Sequence, residues 1–588
     1  MRVVDAVARW FGVAGFEYYF GYAGGAVWSF LDALIEQPQI RGIQAKHESQ
    51  AVHQADIYYR LTGRLAPVIV TKGPGLLNAV GGMANAMHDS IPVLLIGGGT
   101  PTHFLGKAGM QEMWYHGHED AVSVFRPVTK GSWMITRPDT AIDVLNHAVR
   151  VALSGRPGPV FVQIPSDIMG TEVVGEPEPP SARSVHQVVR ADHAAVSRAA
   201  EIVRKAKRPM ILAGGGLNLS PGSMDLLKDL AEAENVPVVT TLTAKGALSE
   251  EHPLSLGPVG RSGTESAARA TREADVIVAV GARFSDNHTS NWRKGMIYNF
   301  PETKLIHVDL DPTEIGRNYP VELGLVSDAN AFLRDLAAAL GDGAPDRSDW
   351  VSTVQAFHAE WNEEIKEVTG STSSPIHPGK LSYEVGEALL PGGHVFIDVG
   401  DVIQYAEPYM TIRTPGTWHL NPGMAEMGWA SQGAPGAALA NPDGTTVVLT
   451  GDGAFLMGPQ VLATAIEYGL PIVWVILNNY ELGIERKGAM AAHGRIHPWI
   501  SFTDPEGNPY NPDFVALAES FGAGGTKVVK TEEFRPALDA AIASGRPWVL
   551  DVELDPDVPT YFTKGLTRAY PSNWAESYPA YNQLSLPS

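Results

Sequence analysis

TTVVLTGDGAFLMG, residues 445–458, runs from a β-branched apolar stretch into a glycine-flanked acid, Asp452, and then into a helical start. A second exit of this kind, PIVWVILNNYELGIERKG at 471–488, leaves its apolar run through the paired amides Asn478 and Asn479. Apolar runs that end in glycine or amide and feed a helix are the pattern of parallel strands in an α/β sheet, where ligands bind beyond the carboxyl ends. Asn479 follows Asp452 by 27 residues, room for one helix and a returning strand, so the two turns fall side by side on one rim. A carboxylate, an amide oxygen and a freed main-chain carbonyl suit Mg2+ or Ca2+, and helix-start amides suit phosphate. The plain alternative is a type I turn at GDG and a helix cap at NN. The pair at this spacing favours a diphosphate clamped by a divalent ion.

Around these turns lies a chain of 588 residues, enough for about three or four domains. With 44% apolar and 19% charged residues it has ordinary globular composition. A formal net charge of −21 argues against nucleic acid as a partner, since binding polyanions needs clustered Lys and Arg. Cysteine is absent, which excludes disulfides, thiolate metal sites and a cysteine nucleophile and fits a reducing cytoplasm, the expected location. No signal-peptide pattern opens the chain, and no apolar run reaches the roughly 20 residues that span a bilayer, so no membrane association is expected.

The alternation recurs along the chain. APVIVTKGPG (66–75), IPVLLIGGG (91–99) and GPVFVQIPSD (158–167) predict parallel strands of a first domain over 1–170, and the Pro-rich segment 171–190 reads as a linker. RPMILAGGG, VPVVTT, ADVIVAVGARF and TKLIHVDLD predict a second block over 191–340. Its AGGG and VGARF resemble half of a dinucleotide-binding fold without completing G-x-G-x-x-G. A second linker is expected over 341–376, a third block over 377–557, and an aromatic tail over 558–588. The fold class expected is α/β: three consecutive doubly wound domains with mostly parallel sheets.

GDGAF…LNN resembles the diphosphate-binding fingerprint of thiamine diphosphate enzymes. KHESQAVHQADIYYRLTG (46–63) is similar to the glutamate-bearing helix of their pyrimidine-binding domain, and NPGMAEMGWASQGAPGAALA (421–440) to the stretch leading into the fingerprint. The resemblance covers nearly the whole chain, in the order pyrimidine, central and diphosphate domain found in the acetolactate synthase, pyruvate decarboxylase and oxalyl-CoA decarboxylase group. It implies thiamine diphosphate and Mg2+ as cofactors, the ion held by Asp452, Asn479 and the carbonyl of Glu481. Gly453 and Ala454 would donate amides to the diphosphate, beside Gly451. Glu48 would bond the aminopyrimidine ring and favour the tautomer that takes the C2 proton. Met427 would sit under the cofactor as its bulky apolar support. Further cofactor contacts are implied at Ala23, Gly24, Pro74 and Asn78 on the first domain. On the third domain they fall at Asp401, Val402, Leu482, Gly483 and Ile484. Because Glu48 and the fingerprint lie on different domains, the resemblance implies active sites at a subunit interface, in a homodimer or a dimer of dimers. In the central domain Arg261, Arg283, Arg293 and Lys294 are candidate phosphate partners for CoA or ADP, with FAD as the alternative occupant.

The reaction class rests on three features. GPGLLNAVGGMANA (73–86) resembles the corresponding segment of 2-hydroxyacyl-CoA lyases. Gln111, in GMQEM, falls on a loop that reaches the cofactor in several relatives, with His116 and His118 beside it as proton donors. Glu485 occupies the place where pyruvate decarboxylase has a proton-relaying glutamate and acetolactate synthase an apolar residue, and the tryptophan expected soon afterwards is missing. These features favour a lyase most similar to the bacterial 2-hydroxyacyl-CoA lyases, cleaving an acyl-CoA substrate to formyl-CoA and an aldehyde or ketone under a lid formed by the tail. The alternative is a 2-oxoacid decarboxylase or acetolactate synthase-like carboligase that needs no CoA.

Overall fold

A computed structural model describes residues 1–117, 120–180 and 188–561. It contains three six-stranded sheets in which every neighbouring pair of strands is parallel. The first is built from β1 (Tyr18–Gly21), β2 (Arg41–Gln44), β3 (Pro67–Val70), β4 (Leu94–Gly99), β5 (Gly131–Met134) and β6 (Val160–Pro165), in the order β2-β1-β3-β4-β6-β5. The third comprises β13 (His394–Ile397), β14 (Trp418–Leu420), β15 (Thr446–Gly451), β16 (Ile472–Asn478), β17 (Gly524–Val528) and β18 (Trp548–Glu553). Its order, β14-β13-β15-β16-β18-β17, repeats the topology of the first. Strands β3, β4, β6 and β16 are buried along their whole length, as strands covered by helices on both faces must be.

The middle sheet uses β7 (Pro209–Ala213), β8 (Val238–Thr240), β9 (Ser255–Pro258), β10 (Val276–Val280), β11 (Lys304–Asp309) and β12 (Leu323–Val326). Its order, β12-β11-β10-β7-β8-β9, is the other doubly wound arrangement, the one common among dinucleotide-binding folds. The segment from 341 to 376, expected as a linker, carries the helix Ser348–Glu364. Trp350, Val354 and Phe357 on that helix are buried against the middle sheet's core, and Trp350 Nε1 donates to the Pro209 carbonyl at 3.1 Å.

The first and third sheets are joined by one continuous apolar core. At its centre the helix Glu48–Thr62 crosses the helix Trp429–Ala440. The crossing is close because Gly433 and Gly436 face it: a Cβ at Gly436 would lie 2.0 Å from the Gln54 carbonyl oxygen. Arg60 closes the contact, bonding Asp56, Asp89 and the Leu420 carbonyl while stacking over Trp429. In an open sheet the ligand crevice opens where the strand order reverses, between β1 and β3 in the first sheet and between β13 and β15 in the third.

Candidate active site

At the switch point of the third sheet, β15 ends in Gly451 and Asp452 begins a one-turn helix. The Asp452 carboxylate is buried; Oδ1 accepts from the Gly453 amide at 2.8 Å, and Oδ2 from the Tyr480 amide and Asn511 Nδ2, both at 2.8 Å. Burial pushes its pKa up to about 6, against these donors, which favour the charged form. Tyr480 reaches it by adopting a left-handed conformation, φ 59°, a costly choice for a side chain of that size. The Asn479 turn is thereby pinned beside the aspartate, as the spacing of the two strand exits predicted. Asn511 also bonds Asn478 Oδ1 at 2.8 Å, and Asn478 in turn donates to Asp551.

A second buried acid, Asp398, follows β13. Its oxygens accept from the amides of Val399, Gly428 and Ser431 and from the hydroxyls of Ser431 and Thr450, at 2.7–3.3 Å. This fixes the left-handed Gly428 and, one residue before it, Met427. The Met427 Cε, Leu482 and the ring of Phe502 close over Gly453, where a Cβ would fall 2.9–3.5 Å from all three. Neither Asp398 nor Asn511 was singled out from the sequence.

Asp401 starts the next helix; its Oδ1 is buried without a partner and its Oδ2 pairs with Lys487, which also donates to the Tyr405 hydroxyl. A Cβ at Gly483 would lie 2.5 Å from Asp401 Oδ2 and 2.7 Å from Asn479 Nδ2, so only glycine fits there. Val402 is packed in the core, leaving its main chain for any ligand contact. Glu481 turns its side chain to Arg486, with Oε2 3.2 Å from Nε, and burial raises its pKa to about 7 although Arg486 and Lys487 oppose the shift. Glu485 lies exposed in the first turn of the helix Gly483–His493, beside Ile484.

At the switch point of the first sheet, Ala23 and Gly24 follow β1 and Gly24 abuts Thr71, after β3. Glu48, buried at the start of its helix, accepts from Asn78 Nδ2 at 2.9 Å. Its Oε1 sits 3.1 Å from where a Gly75 Cβ would be, one residue beyond Pro74. Gln111 is also left-handed, φ 61°, and its main chain packs on Gly73. His116 is exposed; His118 and most of the expected lid, residues 562–588, lie outside the described residues. The described candidates on the first and third domains thus fall into two groups, one near each switch point.

The residues at the third sheet fit a divalent ion on a diphosphate. They offer the buried Asp452 carboxylate, the Asn479 amide and the Glu481 carbonyl, open space at Gly451 and the unpartnered Asp401 Oδ1. Among the described residues no cluster of three or more His, Cys, Asp or Glu side chains is arranged for a metal. The central-domain candidates do not converge. Arg261 pairs with Asp286, Arg283 donates to the His88 carbonyl, Lys294 pairs with Glu302, and Arg293 holds a buried Nε without a partner.

Comparison with known proteins agrees with this geometry. The family described as thiamine pyrophosphate enzyme, N-terminal TPP binding domain, matches residues 1–122; the central domain matches 196–336 and the C-terminal TPP binding domain 398–552. A probable acetolactate synthase large subunit of Methanocaldococcus jannaschii is 34% identical over 95% of this chain and 92% of its own length. The acetolactate synthase large subunit of Haemophilus influenzae and the isozyme 3 large subunit of Escherichia coli are each 33% identical, over 92% of both chains. All three names are synthases. The expectation of a 2-hydroxyacyl-CoA lyase, drawn mainly from one glycine-rich segment and Glu485, gives way to its alternative.

Proposed function

The chain belongs to the thiamine pyrophosphate enzyme family, and on that premise we propose that it is a carboligase of the acetolactate synthase kind, decarboxylating pyruvate or a related 2-oxoacid and joining the remaining acyl unit to a second carbonyl compound. The observation that carries this reading is the likeness to acetolactate synthases along more than nine-tenths of the chain.

In this reading Asp452, Asn479 and the Glu481 carbonyl hold Mg2+, and the Gly453 and Ala454 amides face the diphosphate. Bound there, thiamine diphosphate would supply a nucleophilic carbon and a sink for the electrons released on decarboxylation. The protein's part is to position and move protons. Asn78 occupies Glu48 Oε2, leaving Oε1 to exchange a proton with the cofactor's pyrimidine. Met427, held by the Asp398 network, supports the cofactor's rings. Glu485 serves the reacting oxygen as a general acid.

Glu48 and Asp452 serve one site when two chains pair, so the functional unit is a homodimer or a pair of dimers. Exposed apolar side chains suit such pairing, with Trp28, Leu77, Met424 and Met457 between 46% and 71% exposed.

The test is direct. Holoenzyme given pyruvate without CoA should release CO2 and form acetolactate. Cleavage of a 2-hydroxyacyl-CoA with no turnover of any 2-oxoacid would return the assignment to the lyase. A thermal-shift series with FAD, ADP and CoA reports which nucleotide the central domain accepts.

A further inference from the structure

We infer that Lys487 is a positioning residue of the diphosphate site: it cancels the charge of Asp401, which would otherwise set a bare carboxylate against the anionic end of the cofactor. The inference rests on the placement of the diphosphate at the switch point of the third sheet. It goes further by naming the residue pair that lets that end be accepted.

Two helices begin on either side of that crevice. The helix Asp401–Tyr409 comes after β13 and starts beyond Gly400, whose φ is 130°; the one-turn helix at Asp452 comes after β15. Nothing lies within 4 Å of where a Cβ would stand on Gly400 or on Gly451, so both rims are open. A helix start beside open space suits a phosphate. Here, however, the first residue of the helix is an acid, of the same sign as a diphosphate. Asp401 is buried, and Gly483 packs against both its Oδ2 and Asn479 Nδ2, so it stands next to a proposed ligand of the ion.

Lys487 resolves the conflict. Its side chain is only 16% exposed, and its ammonium pairs with Asp401 Oδ2 while donating to the Tyr405 hydroxyl at 3.1 Å. Tyr405 lies one turn beyond Asp401 and is itself fixed, its hydroxyl donating to the Val558 carbonyl at 2.8 Å. The lysine is thereby tethered twice to one helix. The neighbouring cation, Arg486, is engaged by Glu481 and Asp557. Where water is scarce, a lone carboxylate close to an anion is strongly repelled, whereas a paired one presents little net charge. Asp401 Oδ1 keeps no partner, so the pair still offers an acceptor to the water that Mg2+ carries. The acid can thus serve the ion without opposing the diphosphate.

The test is calorimetric titration of the full chain, freed of cofactor by dialysis, with thiamine diphosphate at saturating Mg2+; Asp452→Ala marks the site. Lys487→Met should weaken the cofactor by about tenfold or more, and Lys487→Arg far less. Adding Asp401→Asn to Lys487→Met should restore most of the affinity, because the charge to be cancelled is gone. Lost packing would not be repaired in that way, so the rescue decides even if Lys487→Met lowers the thermal midpoint. Thiamine monophosphate, the less charged ligand, should lose less affinity than the diphosphate. Wild-type affinity in Lys487→Met, equal losses for the two ligands, or a double variant as weak as Lys487→Met would overturn the inference. The last result would mean that the lysine grips the phosphate itself. If Asp452→Ala loses the cofactor and Lys487→Met does not, the placement of the diphosphate stands and the inference alone fails. If Asp452→Ala binds as the wild type does, the placement fails and the inference with it.

Discussion

Asn511 shows how much of a site can rest on one side chain that no local pattern announces. It lies 59 residues beyond Asp452 in sequence, outside any strand exit, and its Nδ2 bridges Asp452 Oδ2 and Asn478 Oδ1. Asn511→Ala removes that donor from both, and affinity for Mg2+-dependent cofactor should fall about 10–100-fold, read by fluorescence titration. Glu485 is the opposite case, conspicuous in sequence and bare in the single chain. Glu485→Gln should lower kcat by about 10²–10⁴-fold while leaving cofactor affinity in place; an unchanged rate would remove it from the mechanism. Asp452 and Glu48 could be placed from the sequence because each starts a helix within a motif, and Asn479 because it directly follows a strand. Asp398 and Asn511 could not, because what they do is decided by residues brought close only by folding.

At the scale of elements, the crossing of Glu48–Thr62 with Trp429–Ala440 is set by backbone contact. Gly436→Ala would drive a methyl into the Gln54 carbonyl, and the protein should lose about 3 kcal/mol, measured by chemical unfolding. The strand exits were readable throughout, since apolar runs closed by glycine have few other uses. The helix Ser348–Glu364 was missed for a compositional reason: its flanks, GDGAPDRSD and TGSTSSP, carry so much Gly, Pro and Ser that they masked the helical spacing of Trp350, Val354, Phe357 and Trp361.

Over the whole molecule, the contact between middle and third domains contains a charge problem. Glu407 is fully buried with neither oxygen partnered; burial lifts its pKa to about 8 although Lys245 and Arg261 pull it down, while Glu250 adds to the rise. A folded-state value above the ordinary 4.5 means that its contribution to stability is complete below about pH 4.5. That contribution is lost as pH climbs towards 8. Glu407→Gln should flatten this decline and leave the protein more stable at pH 8 by about 1–3 kcal/mol, seen as a thermal midpoint that varies less between pH 5 and 8.5. Three α/β units could be counted from the sequence. The shared strand order of the outer two could not, because register and neighbour choice are settled between segments hundreds of residues apart.

The way Met427 is held bears on how such a protein can change. Asp398 grips the Gly428 and Ser431 amides and two hydroxyls, none of which belongs to the methionine it steadies. The floor of the candidate site thus hangs from the segment around Gly428, and the side chain lying on it is a replaceable tile. Exchanging that tile reshapes the room above it without loosening the frame. New substrates can therefore be reached here by single substitutions that leave the fold almost indifferent, the condition under which an enzyme lineage diversifies.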